Sequence, residues 1–551
     1  MIRYLWQNKL ILLTVIVGSM LTLLPILFDG QSGCIHNQCG FIIGTNYRDG
    51  IWFQAVSATA FNSLPFRMPN FSGALLSGYH FLPNLVVNLL SRIGIPIPVT
   101  YYKLFPILYF TLLIYLSISY ARKIKNHPLF VEIFLFFVLF GIPLTLITSL
   151  HYYGFIKNSL LINTFQSTRI LESIHFAFSF IILLFVLIML NKRPLRLRQK
   201  LLIGFFVFLI FGIKFYVAVI ILFMLVMYET FSLFRNKKLG DYLIAIVIYG
   251  ISSLISIFLF YNPFAAAKSG SIFVFAPFAT VHHLIENEAL FYLPNMVLAR
   301  YYLYAHGMSP RLIAIELFST FLFVVFYFGT RVLGFIYIAK QIVTKKISQF
   351  EVTLTFGVLL GIILSVSFVQ KGDWFNPMQF AVVSAFLMNI FAAKFLYELL
   401  RRYKTFGIVI GIIVIILTLI PNLINLKYLS DPARYVIPQE EVIALNELKK
   451  MPDGPVFTPI IDPDMTYVSA LTGKQTYINF TTLLDTTGID YKNRLEQTKD
   501  PEKIEVDNLE IKYVYIPKNY KDYEIISEKF KKSKHYKQIL QNTRVIIFEK
   551  I

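Results

Sequence analysis

Long apolar runs separated by short polar connectors fill the first 429 positions. Eleven runs are long and uncharged enough to cross a bilayer as helices, at roughly 8–28, 100–121, 128–149, 172–191, 200–214, 216–233, 241–262, 312–330, 351–369, 378–397 and 405–425. The fifth is short, and Lys214 and Tyr216 sit where it meets the sixth. The stretch 79–97 is nearly as apolar. Counting it as a span would move the next basic connector to the other side, so it reads as an interfacial or re-entrant helix. The first run resembles a signal peptide but lacks a small-residue cleavage pattern. With ten further runs behind it, it reads as an anchor.

The pattern changes after Pro421. Gln439–Lys450 has helical character, and 454–460, 512–516 and 544–548 read as short strands, with 521–532 helical between the last two. Alternating short strands and helices predict a small α/β domain over 430–551, behind a transmembrane domain over 1–429. The fold class expected is therefore a polytopic α-helical membrane protein of about eleven transmembrane helices with a small C-terminal α/β domain.

Composition agrees with this reading. Hydrophobic residues make up 56% of the chain and charged residues only 15%, a shift that points to lipid. The net charge of +20 is uneven. Residues 430–551 carry 18 Lys and Arg against 19 Asp and Glu, so the excess lies among the apolar runs. It sits in Arg122-Lys123-Ile124-Lys125, 192–200, Arg235-Asn236-Lys237-Lys238, 340–346 and Arg401-Arg402-Tyr403-Lys404. A cytoplasmic N-terminus with Arg3 and Lys9 puts all five inside, as the positive-inside rule requires. The odd number of spans then places the C-terminal domain outside, together with three long loops at about 29–99, 150–171 and 263–311. Charge distributed in this way marks topology rather than a nucleic-acid surface. The location implied is the cell (plasma or inner) membrane. No Walker A or dinucleotide-binding glycine pattern is present in the sequence, which argues against ATP-driven transport. Cys34 and Cys39 share one loop, and the pattern leaves open whether they are bonded.

Candidate chemistry concentrates on the outer loops. Asp49, within Tyr47-Arg48-Asp49-Gly50-Ile51-Trp52-Phe53, fits a general base, a divalent-cation ligand, or the cap of an interfacial helix. Downstream, Pro65, Pro69, Gly73 and Gly78 shape a loop that leads to Tyr79 and His80, a candidate for a phosphate or sugar hydroxyl. Cations at outer span ends work against topology, so they tend to have a use. Arg169 with Glu172, Lys214, and Lys371 with Asp373 are of this kind, and they fit either a lipid phosphate or snorkelling to headgroups. Trp52, Tyr79 and Trp374 suit stacking on sugar rings. His282, His283 and Glu286 have a spacing open to a metal, but they do not form a zincin pattern.

Asp49 in a large first outer loop, short cytoplasmic loops and an outward α/β tail together resemble the GT-C superfamily of integral membrane glycosyltransferases. The similarity is greatest to the bacterial lipopolysaccharide RgtA/B/C/D-like and dolichyl-phosphate-mannose mannosyltransferase-like group. Leu471-Thr472-Gly473-Lys474-Gln475-Thr476-Tyr477 and Ile511-Lys512-Tyr513-Val514-Tyr515-Ile516 read like the tails of such proteins. The resemblance implies transfer of a hexose or pentose from a polyprenyl-phosphate donor to a glycan, lipid or protein acceptor on the outer face. It implies that Asp49 acts as base or binds a divalent cation (Mg or Mn). Many members carry an acidic pair in this loop, whereas here Arg48 precedes Asp49 and Gly50 follows it. The residues themselves, rather than the resemblance, nominate Lys214, Arg169 and Lys371 for the lipid phosphate, and His80, Tyr79, Trp52, His283 and Glu172 for substrate. No metal ligand is assigned. The competing readings are a transporter or flippase for a lipid-linked saccharide, and a non-catalytic envelope scaffold. A transporter predicts charges deep in spans and inverted repeats, and the sequence shows neither pattern.

Overall fold

A computed structural model describes residues 2–35, 38–43, 47–144, 146–147, 150, 166, 169–191, 195–261, 263–264, 273–286, 292–370, 375–429 and 435–551. Each of the eleven apolar runs corresponds to a helix. Among the described residues, eight helices are long and apolar enough to cross a membrane. The first is α1 (Lys9–Leu23). In the loop that follows lie α2 (Tyr47–Ala55) and α3 (Leu82–Arg92). The bundle continues with α4 (Ile97–Ile124), α5 (Pro128–Phe140), α6 (Ile174–Leu190), α7 (Leu197–Ile213), α8 (Phe215–Asn236) and α9 (Leu239–Tyr261). Two short helices, α10 (Ala279–Glu286) and α11 (Pro294–Ala305), precede α12 (Pro310–Val343), α13 (Gln349–Ser367), α14 (Met378–Arg402) and α15 (Lys404–Leu429). The protein is a multi-pass membrane protein.

Two differences from the sequence reading have physical causes, and one expectation holds. The third run ends as a helix at Phe140 instead of reaching 149. Ile142 precedes Pro143, which disfavours helical backbone there, and the Leu144 amide donates instead to Phe326 O at 2.8 Å. The eighth run continues past 330 to Val343 through a tight turn over Gly329–Val332. Gly329 has φ +61, and a Cβ on it would lie 2.0 Å from Ile142 O, so the breaks in α5 and α12 meet at a glycine. The stretch 79–97, expected as a non-spanning helix, holds the 11-residue α3, about 17 Å of helix and too short to cross.

The basic connectors converge at one end of the bundle. Lys125 Nζ lies 4.2 Å from the Tyr397 ring centroid, Arg122 packs over Tyr4, Lys340 pairs with Glu398 at 2.7 Å, and Lys200 donates to Asp241 O at 2.6 Å. At the other end, a hairpin of β1 (Ser32–Ile35) and β2 (Gln38–Ile42) carries a Cys34–Cys39 disulfide between paired positions. β2 also pairs with β5 (Val436–Pro438), so the first loop and the chain after α15 share a sheet. A smaller pair, β3 (Phe273–Phe275) with β4 (Phe368–Gln370), joins the third long loop to the end of α13.

The C-terminal part is an α/β unit. Its sheet runs β6 (Val456–Phe457), β7 (Tyr513–Pro517), β9 (Val545–Lys550), β8 (Tyr536–Gln541), with only β6–β7 parallel. The helices α16 (Gln439–Lys450) and α20 (Tyr523–Lys532) match the sequence pattern. Strand β8 and the short helices α17 (Tyr467–Thr472), α18 (Thr481–Thr487) and α19 (Lys492–Thr498) were not anticipated. The proline-rich stretch of the first loop is the seat of this unit. Thr476 N donates to Pro69 O at 2.8 Å, Ser72 N to Thr476 O at 2.9 Å and Asn479 N to Asn70 O at 2.9 Å. Arg494 donates to Ser72 O and to Tyr477 O, both at 2.8 Å, and stacks over Phe71 and Tyr477.

Candidate functional site

The loop pattern, the short links between helices and the seat of the C-terminal unit bring most of the nominated residues to one place. Asp49, Trp52, Tyr79, His80, Arg169, Glu172 and Lys214 all line one cavity of about 300 Å³ at the end of the bundle away from the basic connectors. Phe480, Thr482, Leu483 and Thr486, from α18 and the residue before it, close it from the C-terminal side.

Each side chain is placed by a local device. Asp49 lies in the first turn of α2 with its side chain exposed, where a carboxylate also suits the helix dipole. Lys214 is the single non-helical residue between α7 and α8, with φ −159 and ψ 112. A one-residue link leaves its side chain at the turn, and it is 8% exposed. Arg169 and Glu172 share a short helical turn ahead of α6 and pair at 2.6 Å. The Phe176 ring lies between the two cations, with the Arg169 guanidinium 5.2 Å and the Lys214 ammonium 5.3 Å from its centroid. Trp52 Nε1 donates to the Tyr79 hydroxyl at 3.0 Å, and Trp52 meets Phe480 edge-on. Together they give the cavity an aromatic side.

A second layer was not legible beforehand. His175, fully buried in the first turn of α6, packs edge-on against His80, with centroids 4.9 Å apart. The Asn84 amide nitrogen donates to Phe53 O at 2.8 Å, which leaves Asn84 Oδ1 to accept from His175 Nε2 at 2.6 Å. Asn84 thus ties α2, α3 and α6 together behind the cavity. His175 lies within an apolar run, and no pattern in the sequence sets it apart.

Burial, the Lys214 ammonium and His175 together push the His80 imidazole well below its ordinary value of 6.5. It is neutral in the folded protein. The unfolded chain takes up this proton as pH falls through 6.5 while the fold does not, so the stability is present above that value and is lost below it. Thermal midpoints measured from about pH 8 to about pH 5 are expected to fall by the equivalent of at most about 1.4 kcal/mol per unit below 6.5 on this account. His80→Gln should flatten that slope. The groups facing His80 are Lys214, His175, Tyr79 and, across the cavity, Asp49 and Glu172. An unchanged slope would remove His80 as its source.

A second cavity of about 340 Å³ adjoins the first and shares Tyr79, His80, Lys214, Asn376, Leu483 and Thr486 with it. It runs between the start of α8, the end of α9 and β3, with Phe215, Tyr216, Ile257, Tyr261 and Phe273 in its walls. The pair of cavities therefore has a polar compartment and an apolar one, with Lys214 and His80 on the shared wall.

Two of the nominated residues, Lys371 and His283, are not placed in the site. Lys371, like Asp373 and Trp374 beside it, lies outside the described residues, as does the side chain of His283. On the same helix as His283, His282 pairs with Glu316 at 2.7 Å, and Glu286 pairs with Arg300. These ion pairs engage two of the three groups that the sequence left open to a metal. Among the described residues, no group of three or more His, Cys, Asp or Glu side chains could hold a metal ion. The cavity itself offers Asp49 and Glu172, with Glu172 engaged by Arg169.

Neither a protein-family model nor any curated protein matches the sequence. Solved structures do match the fold. The Archaeoglobus fulgidus oligosaccharyltransferase in complex with Zn and sulfate superposes with a TM-score of 0.54 at 12% identity, over 92% of this chain and 68% of that one. The oligosaccharyltransferase AglB from the same organism, in complex with an inhibitory peptide and a dolichol-phosphate, gives 0.52 at 12% identity over 94% and 70%. At this identity the likeness is one of fold: the chain shares the fold of the archaeal oligosaccharyltransferase over nearly its whole length.

Proposed function

We propose that the chain is a membrane glycosyltransferase that moves a sugar from a polyprenyl-phosphate carrier to a hydroxyl-bearing acceptor on the outer face of the plasma (inner) membrane. The observation that carries this reading is the single cavity that sets the Asp49 carboxylate with the Lys214 and Arg169 cations beneath a roof from the C-terminal unit. The chemistry needs both halves. As the bond from the sugar to the phosphate breaks, the leaving phosphate gains charge, and preorganised cations stabilise it. The acceptor oxygen that forms the new bond sheds its proton, and Asp49 is the group that orients it and takes that proton. The aromatic wall of Trp52 and Tyr79 suits a sugar ring, and the apolar compartment suits a hydrocarbon chain.

Three features support the outward orientation. The basic connectors lie at the opposite end of the bundle, the elaborated loops lie at this end, and the Cys34–Cys39 disulfide suits an oxidising compartment. In this reading residues 1–429 form the membrane domain and 430–551 an extracytoplasmic domain, with the N-terminus cytoplasmic. The dolichol-phosphate bound by the archaeal oligosaccharyltransferase supports a lipid-linked donor of this class. The acceptor is a glycan, a lipid or a protein.

The test is transfer of label from polyprenyl-phosphate sugars by the purified protein. Transfer by the wild-type chain and its loss in Asp49→Ala are expected. Unchanged transfer by that variant would remove Asp49 from its role. Saccharide uptake into proteoliposomes without transfer would replace the enzyme by a transporter. Because the cations already supply the positive charge, a chelator is expected to leave the rate unchanged, and a chelator-sensitive rate restored by Mg or Mn would reverse that point.

A further inference from the structure

A cavity of about 450 Å³ opens at the opposite end of the bundle from Asp49, where α7 begins, α8 ends and α9 begins. Lys200, Arg235, Lys238, Glu229 and Asp241 line it. Lys200 and Glu229, 5% and 4% exposed, form its floor, with ammonium and carboxylate 3.8 Å apart. Lys200 also donates to Asp241 O at 2.6 Å, and the Tyr249 hydroxyl donates to Glu229 at 3.4 Å. The floor is thus internally neutral. The mouth is not, because Arg235, Lys238 and Asp241 are all exposed there and leave one net positive charge. Two long helices also begin at this mouth, so the positive ends of their dipoles face it.

The helix faces beside the mouth are greasy. Leu197, Leu201 and Phe205 on α7 and Leu239, Leu243 and Val247 on α9 are each half or more exposed. In a membrane these faces meet acyl chains. A site with a cationic mouth at the headgroup level and apolar flanks below it has the two-part chemistry of a phospholipid.

We propose that this cavity binds one anionic phospholipid. The headgroup phosphate sits on Arg235 and Lys238, and the acyl chains lie along α7 and α9. A headgroup of charge −1 matches the mouth, whereas a zwitterionic one leaves its charge unanswered. The bound lipid clamps the three helices at this end, as Lys214 joins two of them at the other. The inference rests on the membrane fold and not on the proposed transfer reaction, so either can fail alone.

The test uses the full chain purified in detergent, with phosphatidylglycerol, phosphatidylcholine, phosphatidylethanolamine or soluble glycerol 3-phosphate added, and native mass spectrometry to count retained molecules. One retained phosphatidylglycerol per chain is expected, with no comparable retention of the other three. Arg235→Gln with Lys238→Gln should weaken retention about thirty-fold, at about tenfold per 1.4 kcal/mol and about 1 kcal/mol for each basic residue at an anionic surface. Both side chains are exposed, so the double variant should fold. Arg401→Gln with Arg402→Gln, at the same end of the bundle, should leave retention unchanged. Equal loss in both double variants would reduce the effect to general surface charge. Equal retention of phosphatidylcholine or phosphatidylethanolamine would overturn the anionic selectivity, and equal retention of glycerol 3-phosphate would overturn the lipid.

Discussion

Lys214→Met is expected to lower the turnover number of sugar transfer by about 10²–10³ with a smaller change in KM, the loss seen when one preorganised group that stabilises developing charge is removed. The reasoning starts from backbone geometry. Lys214 is held at a one-residue link between two spans, so its ammonium has little freedom to leave the cavity wall. It lines both the polar and the apolar compartment, which is where a phosphate that joins a sugar to a hydrocarbon chain must sit. The phosphate carries more charge after the bond to the sugar breaks than before, so the ammonium stabilises the transition state more than the bound donor. Methionine keeps much of the length and apolar bulk, which separates charge from packing. Arg169 should matter less, because it already pairs with Glu172 at 2.6 Å and part of its field is cancelled. Glu172→Gln releases that partner and should then raise the contribution of Arg169. A Lys214→Met enzyme with unchanged turnover and a raised KM would show uniform binding instead, and would place the phosphate elsewhere.

The reach of the sequence can be judged from the same residues. Hydropathy located every helix of the bundle, since lipid demands long apolar runs with few exceptions. Charge placement sorted the ends, which is why Asp49, Arg169 and Lys214 could be gathered on one face before any coordinates. Missing from the sequence was how that face is roofed. The segment 67–72 carries its information in backbone hydrogen bonds to 476–479, and such pairing leaves little trace in side-chain pattern. The short helices α17 to α19 were invisible for a related reason: at six or seven residues they are held by docking rather than by intrinsic propensity. His175 looked like part of an apolar run because it is buried within one, and only its contact with Asn84 reveals its place behind the cavity. The break after Phe140 had a signal in Pro143, whereas the one at Gly329 depends on the approach of Ile142 O, which is a tertiary fact.

Gly40→Ala is expected to abolish transfer while leaving the helical bundle folded, although Gly40 lies outside the cavity. A Cβ at this position would lie 1.8 Å from Ile437 O, a backbone atom that cannot swing aside. The pairing of β2 with β5, in which Gly40 faces Pro438, must therefore separate. Ile437 is 1% exposed and belongs to a buried cluster with Ile43, Ile51, Leu445 and Tyr467. Ile51 is two residues from Asp49 on the same helical turn. Displacing β5 thus pulls on the helix that carries Asp49 and on the unit that supplies Phe480 and Leu483 to the cavity roof. Cross-strand hydrogen bonds are worth about 0.5–1.5 kcal/mol each, so losing this short pairing costs a few kcal/mol locally, too little to unfold a bundle whose helices pack mainly on one another. The partner glycine gives the control. Gly33 faces Gly40 in the hairpin, but a Cβ there meets only Ile42 Cδ1 at 3.1 Å, the far end of a flexible side chain. Gly33→Ala should keep most of the activity. Circular dichroism should show unchanged helix content in both variants, and limited proteolysis should cut only the Gly40 variant faster between α15 and α16. Full activity in Gly40→Ala would mean that the sheet shared by the first loop and the chain after α15 does not hold the roof over Asp49.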